Sequence, residues 1–243
     1  MDDRYRIRDL APGDVDAAQA LLQLAAEKQT KATREATRML LEMTAAGDSP
    51  VNKRGFTLVA EDTSTGRIVG AATVGPTGLW SHPVLGCLPK VGRAQWLERI
   101  GELYEVAVHP DHRRRGIGYG LIEAVAAHQI AANWRLLLWY FHADSPDAAF
   151  HPQDAMWPVG QEFRLTEPSG RVAMPVREMN GDLRLCISLL HPATKVLLDP
   201  ASGQKAVAGI FSGSPWEVRN GAAVVVPKIP QSRRPKRKKA KRR

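Results

Sequence analysis

Charged and apolar residues alternate in "YRIRDL" near the start of the chain, the period of two that gives a strand one buried face. Past "APGD" the period lengthens. Leu21, Leu22 and Leu24 support a helix over Val15–Lys28, and a second helix is expected over Arg34–Ala46. "FTLVAED" and "RIVGAATV" then flank "TSTG", which reads as a turn between antiparallel strands. "GELYEVAV" is a further strand, Ile117, Leu121, Ile122, Val125 and Ala126 recur at helical spacing, and "WRLLLWYF" is an apolar strand after that helix. A helix of this length between two strands implies a parallel crossover, so a mixed α/β sheet is expected, in the order β, α, α, β, β, β, α, β.

Two stretches break the pattern. Residues 76–100 hold Trp80, Cys87 and Trp96 where a short connection would serve, so they read either as a flap on the substrate side or as a structural insertion. "HADSPDAAFHPQDAMWPVG" is cut by Pro146, Pro152 and Pro158 and supports a helix poorly. "DLRLCISLL" reads as a later strand that closes a domain over residues 1–192. Beyond it "KVLLD", "AVAGIF" and "AAVVVP" suggest short strands in a C-terminal extension, 193–230.

At 243 residues and 44% hydrophobic content the chain can bury one substantial core. No apolar run approaches the roughly 20 residues that span a bilayer, and "MDDRYRIRDL" is charged rather than signal-like, so no membrane association and a cytoplasmic location are expected. Cys87 and Cys186 are too few for a disulfide framework, and the histidines show no metal-ligand spacing, so no metal is expected. The net charge of +9 is local: "SRRPKRKKAKRR" at the C-terminus holds nine of the 34 bases, and the remaining 25 equal the 25 acids. Residues 231–243 therefore read as a disordered basic tail, either a solvated element or an arm for nucleic acid or another polyanion through residues 233–243.

Candidate chemistry concentrates in "VAVHPDHRRRGIGYG". Arg113, Arg114 and Arg115 precede Gly116, Gly118 and Gly120, and the glycines open the amphipathic helix. Glycine permits backbone conformations closed to other residues, and a helix start offers unpaired amides to an anion. A Walker loop needs Gly-Lys before Ser or Thr, which this chain lacks. The dinucleotide fingerprint fits weakly, because the glycines run G-x-G-x-G and seven residues separate Gly116 from the strand end at Val108.

Strand, Pro turn and [QR]-x-x-G-x-[GA] at a helix start, here Arg113, Gly116 and Gly118 after "VAVHPDH", resemble the acetyl-coenzyme A site of the GNAT superfamily of N-acyltransferases. The resemblance implies the GNAT fold, acetyl-CoA as cosubstrate and an amine acceptor: a small molecule, a protein amine or an RNA-borne amine. It implies that the backbone of Val106, Ala107 and Val108 pairs with the pantetheine arm. It also implies that Arg114, Arg115, Gly116, Ile117, Gly118 and Tyr119 receive the pyrophosphate and that Arg113 and Gly120 belong to the same cofactor site. A carboxylate on the preceding strand often serves as base in the family; Glu102 matches the position used by one branch, and Glu105 is the alternative. Strict alternation would put these two on opposite faces unless the strand bulges. Many members have a Tyr after the fifth strand as general acid. Phe150 and His151 stand there instead, which makes His151 the candidate, while Tyr140 reads as core. The rival reading is a non-catalytic GNAT scaffold that binds a polyanion through its tail.

Overall fold

The computed structural model describes residues 3–25, 31–47, 55–76, 98–142, 156–157, 163–166, 172–176, 183–198, 203, 205–210, 216–219 and 222–225. The first half follows the predicted order. Strand β1 (Tyr5–Asp9) leads into α1 (Val15–Ala25) and α2 (Lys31–Ala45), then β2 (Phe56–Asp62), β3 (Arg67–Pro76), β4 (Ile100–Val108), α3 (Ile117–Ala131) and β5 (Leu136–His142). Later come β6 (Phe163–Thr166), β7 (Val172–Val176), β8 (Leu183–Leu189), β9 (Lys195–Leu198), β10 (Lys205–Ala208), β11 (Trp216–Arg219) and β12 (Ala222–Val225).

The main sheet has six strands in the order β1-β2-β3-β4-β5-β8, with β4 and β5 parallel. Each face carries its own core. Helix α3 sets Ile117, Leu121 and Val125 against Ala72, Val74, Leu103, Leu137 and Trp139. On the opposite face Leu22 and Leu41 of α1 and α2 meet Val59, Ala71 and Ala107. Burying such side chains is worth about 2 kcal/mol each, so the sheet's alternation is strongly held.

The predicted strands "KVLLD", "AVAGIF" and "AAVVVP" correspond to β9, β10 and β12. Strands β6 and β7 were not expected from the sequence; they join the extension in a second sheet, β7-β6-β10-β9, with β10 parallel to β6. The extension is thus built onto a hairpin from the preceding segment. Of the stretch 76–100, residue 76 closes β3 and residues 98–100 lead into β4; residues 77–97, like 143–155 and the tail, lie outside the described residues. Among the described residues no helix is long and apolar enough to cross a membrane.

Candidate active site

Strands β4 and β5 pair only from Ile100–Leu103 against Leu136–Trp139. Beyond that point they part. β4 continues to Val108 paired solely with β3, and β5 continues to His142 paired solely with β8. The result is a fork whose free edge is the second half of β4, with peptide groups available to an extended ligand as they would be to another strand.

At the fork the register of β4 slips. Val74 pairs with Leu103 and Thr73 with Glu105, so Tyr104 is an extra residue, a β-bulge. Packing shows the same shift: Leu103 lies in the α3 core and Ala107 in the α1–α2 core, although four residues of unbroken strand would put them on one face. The bulge turns Glu102 and Glu105 to the same side of the sheet, that of α1 and α2. Glu102 is buried, 4% exposed, and Glu105 is half-buried. Tyr104 lies over Gly75, where a Cβ would come within 2.6 Å of its ring, and its hydroxyl donates to the Pro76 carbonyl. Burial, and then the charge of Glu102, push the Tyr104 phenol well above its ordinary value; the same two causes act on Tyr140 of β5. Both phenols therefore stay protonated beside the carboxylate. Directly across the sheet from Glu105 stands Thr73, whose hydroxyl lies 3.4 Å from that of Thr57, itself 3.1 Å from Thr44.

The loop after β4 begins with a single turn, Pro110–His112, in which His109 Nδ1 accepts from the Asp111 amide. Arg114 then takes φ 62° and Gly116 φ 77°, two left-handed positions with one residue between them, before α3 starts at Ile117. A left-handed non-glycine residue is strained, and such strain gathers where the backbone is shaped for a ligand. Amides of a turn at the positive end of a helix dipole can cradle an anion. The arginines divide the work. Arg113 Nε donates to the Val108 carbonyl (3.2 Å), and Arg115 braces the loop against β1 through Tyr5 Oη (3.1 Å) and the Asp111 carbonyl. Among the described residues Arg114 makes no side-chain hydrogen bond, which leaves its guanidinium available to a bound anion.

Residues 53–151, which span the fork and this loop, match the acetyltransferase (GNAT) domain. The chain carries a GNAT domain. Its architecture is similar to that of a GNAT-family protein from Desulfovibrio desulfuricans, with a TM-score of 0.52, 15% identity, and coverage of 77% of this chain and 99% of that one. It is also similar to YncA of Salmonella typhimurium, solved with acetyl-CoA (TM-score 0.49, 16% identity, 78% and 96% covered). A third similar structure is the spermidine/spermine N-acetyltransferase SpeG of Vibrio cholerae (TM-score 0.49, 12% identity, 78% and 95% covered). The first likeness shows the shared fold; the other two, below 0.5, add nothing to it. No curated protein matches the chain by sequence.

Within the GNAT domain Val106, Ala107 and Val108 form the free edge of β4, and Arg113–Tyr119 form the loop and the first turn of α3. Of the three glycines only Gly116 uses a left-handed conformation. Gly118 and Gly120 are helical, and the Gly120 amide closes the first turn on the Gly116 carbonyl (2.9 Å), so Gly120 offers a ligand its missing side chain rather than its N–H. His151 lies outside the described residues. The sequence reading placed Tyr140 in the core; its buried hydroxyl instead shares the Glu102 side of the fork. The roles of Tyr104 and Thr73 had no signal in the sequence, because both follow from a register slip that needs the partner strand to be seen. Among the described residues no cluster of metal-ligating side chains occurs.

Proposed function

We propose that this chain is an acetyl-CoA dependent N-acetyltransferase in which an amine attacks the thioester directly and Glu102 accepts its proton. The observation that carries this reading is the bulge at Tyr104, which sets a buried carboxylate at the root of the fork. The residues present suit the cosubstrate. The left-handed pair and the free guanidinium of Arg114 suit its pyrophosphate, and the β4 edge at Val106, short of the Val108 carbonyl that Arg113 already holds, suits its pantetheine arm. A lysine-like amine, with a pKa of about 10.4, is protonated at neutral pH and must lose a proton before it attacks. The amine nitrogen then bonds to the thioester carbonyl carbon, the carbon–sulfur bond breaks, Glu102 holds the amine's proton and the departing thiolate takes one. A backbone amide of β4 beside the bulge would stabilise the carbonyl oxygen as charge develops on it. Glu105, on the same side, is the second candidate base.

The phenols of Tyr104 and Tyr140 stay protonated beside Glu102, and Tyr104 spends its O–H on the Pro76 carbonyl. Acid catalysis falls to His151 or to water. The acceptor is an amine on a small molecule, a protein or an RNA. Incubation of the protein with acetyl-CoA and a panel of such amines, reading free thiol and product mass together, tests the proposal. Acetylated product with equimolar thiol is expected; thiol release without an acetylated amine, or no release with any class, would sink it.

A further inference from the structure

Two arginines stand at the other end of the sheet from the fork, one just before β4 and one just before β5. Arg99 and Arg135 are joined through their backbones, the Arg135 amide donating to the Arg99 carbonyl at 2.8 Å. Their side chains turn toward the C-terminal part of the chain. Arg99 Nη1 donates to the Ile210 carbonyl (3.3 Å), and Arg135 Nη1 donates to His191 Nδ1 (2.5 Å), which also accepts from the Ala193 amide (3.0 Å). With Nδ1 occupied as an acceptor, neutral His191 carries its proton on Nε2 and is a donor there.

What is missing is a counter-charge. Among the described residues neither guanidinium pairs with a carboxylate. Burial first, and then the charge of Arg99, lower the proton affinity of Arg135; burial, and then the charges of Arg135 and Arg99, do the same to His191, and no acidic group is among those that bear on either. Arg135 Nε is buried without a hydrogen-bond partner, while Arg99, Arg135 and His191 are each only half-buried as residues, so a small solute can reach them. A buried N–H of a charged group left unmade costs more than an ordinary hydrogen bond returns, and elsewhere in this protein the arginines near carboxylates are paired: Arg4 with Asp62, Arg8 with Asp14 and Glu61.

We propose that Arg99, Arg135 and His191 form a second anion site, which takes a small phosphate-bearing ligand. Two planar guanidiniums match the charge and the several oxygens of a phosphate better than those of a monoanion. The site is separate from the loop: the nine residues of β4 put roughly 30 Å between Arg99 and His109. Its ligand would bind where the starts of β4 and β5 and the turn after β8 meet Ile210, two residues past β10, and so would tie the extension to the GNAT sheet. The inference does not depend on the acetyltransferase reading.

Thermal melts of the full chain in inorganic phosphate, against chloride at equal ionic strength, provide the test, with glycerol 2-phosphate as a second arm. Phosphate is expected to raise Tm in the wild type and in Arg114→Gln, whose change lies in the loop. Arg99→Gln and Arg135→Gln should each weaken the apparent affinity by about tenfold or more, the loss of one charge-assisted contact. Tighter binding of the ester than of the free ion would mark an organic phosphate as the ligand; equal binding would mark phosphate itself. Should Arg135→Gln fail to fold in chloride, Arg99→Gln and Arg135→Lys carry the comparison. A wild type indifferent to both ligands, a response abolished by Arg114→Gln, or an undiminished response in the Arg99 and Arg135 variants would overturn the proposal.

Discussion

Glu102 carries the chemistry proposed for this protein, and its weight can be measured. Glu102→Gln keeps the size of the side chain and removes its basicity, so turnover should fall by on the order of 100-fold with little change in acetyl-CoA affinity. The deficit should narrow as pH rises toward the amine's own pKa, because an amine already neutral needs no base. Steady-state rates from pH 7 to pH 10 check both expectations, and an unchanged rate at pH 7 would shift the role to Glu105, on the same side of the fork. The candidate pair was legible in the sequence as two glutamates on one strand. That both serve one side was not, since the residue that makes it so, Tyr104, continues an ordinary strand pattern and betrays no bulge.

The loop between β4 and α3 is the element in which sequence and structure agree most closely, because its signals are local. Pro110, the arginines and Gly116 specify a turn and a helix start within eight residues. Gly116→Val places a β-branched residue at φ 77°, a cost of about 1–2 kcal/mol or more, and shifts the amides that follow. The variant should lose the rise in Tm that acetyl-CoA and desulfo-coenzyme A are expected to give the wild type by mass action. A variant that folds and keeps the full rise would move the pyrophosphate elsewhere. Strands β6 and β7 show the opposite case. They are four and five residues long, β7 contains Pro175, and β6 finds its parallel partner about 40 residues later in β10, so nothing nearby announces them.

Across the whole molecule, charge sets how stability depends on pH. Asp14, Glu61 and Asp62 are held below the ordinary carboxylate range, each chiefly by a side-chain hydrogen bond from Arg8 or Arg4, so their contribution is present at neutral pH and is lost only below about pH 4. His112 and His191 are depressed first by desolvation and then by neighbouring arginines. A histidine that resists protonation when folded costs stability as pH falls below the unfolded value of 6.5, until its own lower pKa is reached. The urea midpoint should thus be level from pH 8 to about 6.5, decline below that, and drop again in the acid range; replacing both histidines by Gln should remove the first decline. We propose that the basic tail serves partners rather than folding. A chain ending at Gln231 should melt like the full chain and bind coenzyme A equally, while losing any salt-sensitive binding to RNA or DNA, whose log–log slope runs about −0.7 to −0.9 per phosphate contacted. Equal nucleic-acid binding by the shortened chain would dismiss the tail as an arm.

The extra residue in β4 also governs which sequence changes this protein can tolerate. Substitution of Tyr104 alters one side chain. Deletion of Tyr104 would remove only the slip: Leu103 and Glu105 would become neighbours opposite Val74 and Thr73, Glu102 and Ala107 would keep their faces, and β4 would lose its local bend and the phenol over Gly75. Insertion of one further residue would instead turn half the strand over, sending Glu102 into the apolar layer beneath α3 or pulling Ala107 out from under α1 and α2, and would cost more than any single replacement on that strand. Insertions between Glu102 and Glu105 should therefore be far rarer than loss of the single residue Tyr104 among sequences that share this arrangement, and a spacing that keeps the two glutamates on one side becomes as much a mark of the site as the glutamates themselves.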